Sequence, residues 1–104
     1  MSTLSTHVLD TAKGKPAAGV PVILEHSGLR IGSGVTDADG RLRFTDHQLV
    51  AGEYRITFET AVYFGDQPAF YPSVSVLFSI QDPTAHYHVP LLLSPYGYST
   101  YRGS

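Results

Sequence analysis

The sequence predicts an all-β chain folded as an antiparallel β-sandwich of seven or eight short strands, with at most one short helix. Three observations lead there. Apolar and polar residues alternate with period two through most of the chain, the pattern of strands with one buried face. Glycine and proline, 10 and 7 of the 104 residues, interrupt that pattern at short intervals, as turns require. No stretch carries the apolar repeat of a long amphipathic helix. A small closed barrel is the alternative architecture.

A chain of 104 residues makes one domain, residues 1–104, long enough to bury roughly two-thirds of its unfolded surface. Seven Lys and Arg against nine Asp and Glu leave a net charge of −2, so no basic field exists to hold nucleic acid or an anionic membrane. There is no cysteine. Disulfides and thiolate metal sites are thereby excluded, and stability must come from packing or assembly. Met1 to Val8 lacks a basic region followed by a long apolar run, and no apolar stretch approaches membrane-spanning length. We expect a cytoplasmic protein with neither nucleic-acid nor membrane partners.

Leu4 to Asp10 reads as a first strand, with Leu4, Thr6 and Val8 on one face and Ser5, His7 and Leu9 on the other; Thr11-Ala-Lys-Gly14 turns it. Gly19 to His26 is a second, its core stripe Val20, Val22 and Leu24. Pro21 implies an edge or a bulge there, because its missing N–H breaks a ladder. Leu29 to Thr36 is a third, diluted by glycine, and Asp39-Gly40 supplies a tight turn before Arg41, Leu42 and Phe44 continue as a strand. Asp46 to Gly52 is a connecting loop. Glu53 to Glu59 has the cleanest alternation, with Tyr54, Ile56 and Phe58 inward. Thr60 to Phe64 is the one place for a helical turn, since Gly65, Pro68 and Pro72 close off anything longer. Ser73 to Ile80 is again a strand, and Asp82-Pro83 turns the chain into its final segment.

That segment, His86 to Ser104, concentrates the polar aromatic chemistry of the protein: His86, His88, Tyr87, Tyr96, Tyr98, Tyr101, Arg102 and the terminal carboxylate. From His86 to Leu93 the residues alternate, so His86 and His88 share a face opposite Tyr87, Val89, Leu91 and Leu93. After the turn Ser94-Pro95-Tyr96-Gly97, Tyr98 to Arg102 reads as a returning strand, and the aromatics predict a docked terminus where fraying is usual. His7, His86 and His88 are bases that titrate near neutrality. With no thiol and no activated serine, hydrolysis here would use water polarised by histidine. His-x-His with His7 also matches part of a three-histidine zinc set. Taken singly, His7 reads as a surface histidine and Arg41 as an exposed cation at a strand start.

Thr6-His7-Val8-Leu9-Asp10, Asp39-Gly40-Arg41 and the closing Tyr101-Arg102-Gly103-Ser104 together resemble the 5-hydroxyisourate hydrolases, or transthyretin-related proteins. The resemblance spans nearly the whole chain, and the terminal tetrapeptide is its most specific part. It implies a transthyretin-like sandwich assembled as a homotetramer, a dimer of dimers with active sites where dimers face each other. It implies hydrolysis of the small molecule 5-hydroxyisourate, the product of urate oxidation, to a ureidoimidazoline carboxylate. It places the catalytic roles on His7, Arg41 and His88, and lines the substrate cleft with Tyr101, Arg102, Gly103 and Ser104. His86 falls to a rim or structural role. In the related hormone carriers other residues occupy the positions of His7, Arg41 and His88, which favours the enzyme over a non-catalytic small-ligand carrier. Glu25 to Gly34 and Gly65 to Pro68 look shorter than in the family. We expect no metal and no cofactor.

Overall fold

The computed structural model describes residues 3–44 and 49–104. Among them the order is β1 (Thr3–Asp10), β2 (Lys15–Pro16), β3 (Pro21–His26), β4 (Leu29–Val35), β5 (Arg41–Phe44), β6 (Gly52–Phe58), α1 (Thr60–Phe64), β7 (Val74–Ile80), β8 (His86–Ser94) and β9 (Gly97–Thr100). Residues 46–48 of the connecting loop expected after β5 lie outside the described residues.

Two sheets face each other. In the first, β1 pairs on one side with β8 and on the other with β5 over Leu4–His7 and with β2 at Leu9 and Asp10; β9 extends the sheet beyond β8. The second runs β4-β3-β6-β7, antiparallel throughout. Strict alternation decides which side chains fill the space between. Leu4, Val8, Tyr87, Val89, Leu91 and Leu93 descend from one sheet onto Val22, Leu24, Tyr54, Ile56, Phe58, Val74 and Ile80 of the other, and all are buried. Each such side chain contributes about 1.5–3 kcal/mol relative to exposure. The faces carrying Ser5, His7, His86 and His88 are therefore left outside the sandwich.

The sandwich, the single helix at Thr60–Phe64 and the inward rows of β1, β6 and β8 follow the sequence expectation. Three details differ. Among the described residues the strands number nine, because the two-residue β2 has no periodicity to read. Pro21 does not mark an edge: β3 lies between β4 and β6, and the proline is tolerated as the first residue of its strand, while the register irregularity falls at Leu24/Glu25. The β1–β8 pair is parallel inside an otherwise antiparallel fold, a distinction that alternation cannot carry because both ladders have period two.

One buried polar contact ties the end of β1 to the helix. Asp10, 1% exposed, accepts the Tyr63 hydroxyl at 2.6 Å on Oδ2 and the N–H groups of Ala12 and Lys13 at 3.0 Å on Oδ1. Burial pushes the Asp10 carboxyl up, but the Tyr63 hydroxyl and the two N–H donors outweigh it, and the group sits below the usual carboxylate range; burial, then the same contact with Asp10, pushes Tyr63 up to about 12. A depressed carboxyl stabilises the fold above its unfolded pKa, and that contribution is lost as pH falls through the folded value. Tyr63→Phe is expected to cost about 1.5–3 kcal/mol in urea unfolding at pH 7, since the bond goes to a charged acceptor. The deficit should shrink below pH 4, where the unfolded carboxyl is protonated; a pH-independent deficit would contradict the assignment.

Candidate active site

The outer face of the first sheet is organised in rows. Across β5, β1 and β8, Arg41 stands beside His7 and His7 beside Pro90; in the next row Arg43 stands beside Ser5 and Ser5 beside His88; beyond it Thr3 stands beside His86. Ser5 and His7 are two apart on β1 and so share a face, as do Arg41 and Arg43 on β5.

Arg41 owes its place to the turn that precedes it. Asp37 Oδ1 accepts the N–H groups of Asp39 and Arg41 at 2.9 and 3.0 Å, closing a local turn. Gly40 then passes so close under β1 that a Cβ would strike the Val8 carbonyl oxygen, and its φ of +74° suits glycine. Its own carbonyl accepts the Val8 N–H at 2.7 Å, which sets β5 against β1 with Arg41 next to His7.

His88 is the most closely held side chain of the group. Its Nδ1 lies 2.8 Å from Ser5 Oγ, and its backbone carbonyl accepts the Gly103 N–H at 2.8 Å. Gly103 packs so tightly on the imidazole that any side chain there would collide with the ring and with Pro90. The terminus is docked, as expected. It is anchored by β9 on β8, by the Thr100 hydroxyl donating to the Pro90 carbonyl at 2.7 Å, and by the Arg102 guanidinium 4.6 Å from the centre of the Tyr87 ring. Strand structure stops at Thr100, so Tyr101 and Arg102 extend beyond β9 rather than within it. His86 is exposed and bonds through Nδ1 to the Thr3 hydroxyl, consistent with a rim position.

Two cavities meet at His88. One, about 250 Å³, is lined by Ser5, Thr6, Asp37, Arg41, Leu42, Arg43 and His88. The other, about 230 Å³ and more apolar, is lined by Val76, Phe78, Tyr87, Val89, Thr100, Tyr101 and Arg102 together with His88. Arg41 therefore shares one cavity with His88, and Tyr101 and Arg102 share the other. His7 lines neither but acts on His88 electrostatically. Ser104 is exposed at the end of the chain. Burial, then the electrostatic influence of His7, His86 and Arg41, hold His88 below the usual imidazole range and favour its neutral form near pH 7. Such a ring can accept a proton. Among the described residues, no three His, Cys, Asp or Glu side chains gather as a metal-ligand set.

A model of the HIUase/Transthyretin family matches residues 4–103. The chain belongs to that family. Among its relatives, the 5-hydroxyisourate hydrolase of Salmonella dublin is 46% identical over 109 aligned residues, covering 97% of this chain and 80% of the relative. The solved 5-hydroxyisourate hydrolase of Klebsiella pneumoniae superposes with a TM-score of 0.90 at 42% identity, covering 100% of this chain and 94% of that one. Sea bream transthyretin, solved in complex with thyroxine, superposes with a TM-score of 0.85 at 35% identity, covering 96% and 93%. The same fold thus occurs in proteins named 5-hydroxyisourate hydrolase and in a transthyretin solved with thyroxine, so function is argued from the site and not from the fold.

Sequence reasoning did not single out Ser5, Asp37 or Arg43. Alternation puts Ser5 on the face of His7, and Asp37 opens a recognisable turn, but only the sheet register shows that they converge on His88 and Arg41. Because cations lower the affinity of His88 for a proton, its imidazole should titrate below 6.5 by NMR, and Arg41→Gln should move it upward. An unperturbed wild-type value, or no movement in the variant, would contradict this electrostatic arrangement.

Proposed function

We propose that this chain hydrolyses 5-hydroxyisourate to 2-oxo-4-hydroxy-4-carboxy-5-ureidoimidazoline in urate degradation, with His7, Arg41 and His88 as the catalytic residues. The observation that supports this reading most is His88 itself: a neutral imidazole between two cavities, flanked by Arg41 in one and by the terminal segment in the other. With His7, it orients a water and takes its proton; the resulting hydroxide adds to a ring carbonyl carbon, the C–N bond opens, and the departing nitrogen takes up the proton. Arg41, whose backbone is held by the Asp37 turn, steadies the oxygen as it gains charge. Tyr101, Arg102, Gly103 and Ser104 form the substrate-binding wall and hold the ring in place. The neutral fraction of His88 extends below pH 6.5, so the acid limb of the activity profile should lie below the ordinary imidazole range.

The active form in this reading is a homotetramer, a dimer of dimers whose facing sheets complete the cleft. It is supported by the open position of the site on an outer sheet face and by the exposed Leu77 and Tyr98 on β7 and β9, each a strand at the end of its sheet. The reading carries with it a cytoplasmic location, a single catalytic domain over residues 1–104, and chemistry without metal or cofactor.

A urate-oxidase-coupled spectroscopic assay on freshly generated 5-hydroxyisourate tests it. The protein should accelerate decay of the substrate, and His88→Ala should lower turnover by ~10²- to 10⁴-fold with the fold intact. Activity should survive exhaustive chelation; loss restored by zinc would favour a metal site. Near-wild-type turnover in His88→Ala would remove the histidine from the mechanism. No acceleration at all by the intact protein would leave a transthyretin-like ligand carrier.

A further inference from the structure

We propose that Ser5 is the positioning residue of the site: its hydroxyl oxygen accepts the Nδ1–H of His88, fixes that tautomer, and leaves the Nε2 lone pair as the working base. The inference rests on the hydrolytic reading above and adds to it the group that orients the base. A histidine that must take a proton at one ring nitrogen needs the other nitrogen tied to an acceptor, commonly a carboxylate or a backbone carbonyl. Among the described residues no carboxylate is bonded to the His88 ring. Asp37 is the one acidic side chain among the described residues lining either cavity, and its Oδ1 is bonded to the N–H groups of Asp39 and Arg41. Ser5 Oγ is 2.8 Å from His88 Nδ1 instead, in the part-buried space between β1 and β8.

The sheet leaves this contact little freedom. Ser5 is 9% exposed, and the parallel register sets its Cα directly beside that of His88. Gly103 packs against the Cγ–Cδ2 edge of the ring, so closely that a side chain there would collide with it. The charged and titratable neighbours from every packed element are His7 on β1, His86 on β8, Arg41 and Arg43 on β5, Arg102 in the terminal segment, and Asp37, whose Oδ1 is held by its own turn. All but Asp37 are cationic or become so, and a hydroxyl acceptor orients the imidazole without the negative charge by which a carboxylate would favour the imidazolium. Ser5 thus fixes the tautomer while leaving the ring neutral.

The decisive measurement is the ring ¹⁵N spectrum of His88 in the wild-type chain at neutral pH, which distinguishes the two neutral tautomers. A proton on Nδ1 is expected; a proton on Nε2 overturns the proposal whatever the variants do. Ser5→Ala should shift the tautomer population toward Nε2–H and lower kcat by about 10- to 100-fold, the usual cost of losing a group that orients a functional histidine, with KM within about twofold. Ser5→Thr, which keeps the hydroxyl, should recover the Nδ1–H signature and most of kcat. Wild-type kcat and an unchanged tautomer in Ser5→Ala would sink the proposal while leaving the hydrolytic reading in place, provided His88→Ala is inactive. Full activity in His88→Ala would instead remove the hydrolytic reading on which it rests.

Discussion

The parallel pairing of β1 with β8 is the constraint from which the site follows. It joins residues 83 positions apart and sets Thr3 against His86, Ser5 against His88 and His7 against Pro90. A slip of one residue would turn His88 into the core and Tyr87 out of it, because side chains alternate across a strand. Two kinds of bond forbid that slip. The buried Thr6 hydroxyl donates to the Val89 carbonyl at 2.6 Å, and the Tyr87 hydroxyl accepts the N–H groups of Gln81 and Asp82 at 3.2 and 3.0 Å. Each is satisfied only in this register, and an unsatisfied partner in the core would cost about 1–3 kcal/mol. The position of His88 is thus decided by side chains that point away from it.

Two further segments converge on that pair from opposite sides. From one edge, the Asp37–Arg41 turn lays β5 on β1 and delivers two guanidinium groups to the outer face. From the other, β9 returns along β8 and presses the Gly103 backbone against the imidazole. A chain end is ordinarily the least constrained part of a domain. Here it is fixed by a strand ladder, a hydroxyl bond and an arginine over a tyrosine ring, which holds the terminal tetrapeptide against the sheet. Glycine at position 103 is a steric requirement of this arrangement, not a flexible joint.

The strands were legible because their period-two pattern is a direct record of which side chains meet the core, and Tyr54, Ile56 and Phe58 show it without ambiguity. The helix was legible because Gly65, Pro68 and Pro72 exclude any longer alternative. Family resemblance nominated His7, Arg41 and His88, and the described geometry brings Arg41 and His88 into one cavity while His7 stands beside Arg41 on the neighbouring strand. What alternation cannot record is which strand lies beside which. The parallel β1–β8 ladder, the interior position of β3 and the meeting of Ser5 with His88 are all consequences of strand order and register, and strand order depends on loop paths and on both sheets packing together. Ser5 looks like any polar residue on a strand until its neighbour is known.

The same surface carries an energetic conflict that the rest of the fold must absorb. The net charge is −2, yet Arg41, Arg43, Arg102, His7, His86 and His88 crowd one region, and no ion pair engages Arg41 or Arg43 among the described residues. Like charges so placed repel, and a domain assembled for stability alone would intersperse carboxylates among them. Of the acidic side chains, Asp37 lines the cavity of Arg41 and His88 with its Oδ1 bound by its own turn, and Asp10 is held in the clasp with Tyr63. A further carboxylate on this face would raise the affinity of His88 for protons and give Arg41 a resident partner. The site instead keeps its imidazole neutral and its guanidinium groups unneutralised, a state that an oxygen-rich anionic molecule relieves on entering. Repulsion in the empty site and attraction for the developing charge of a transition state are then two readings of one electrostatic field.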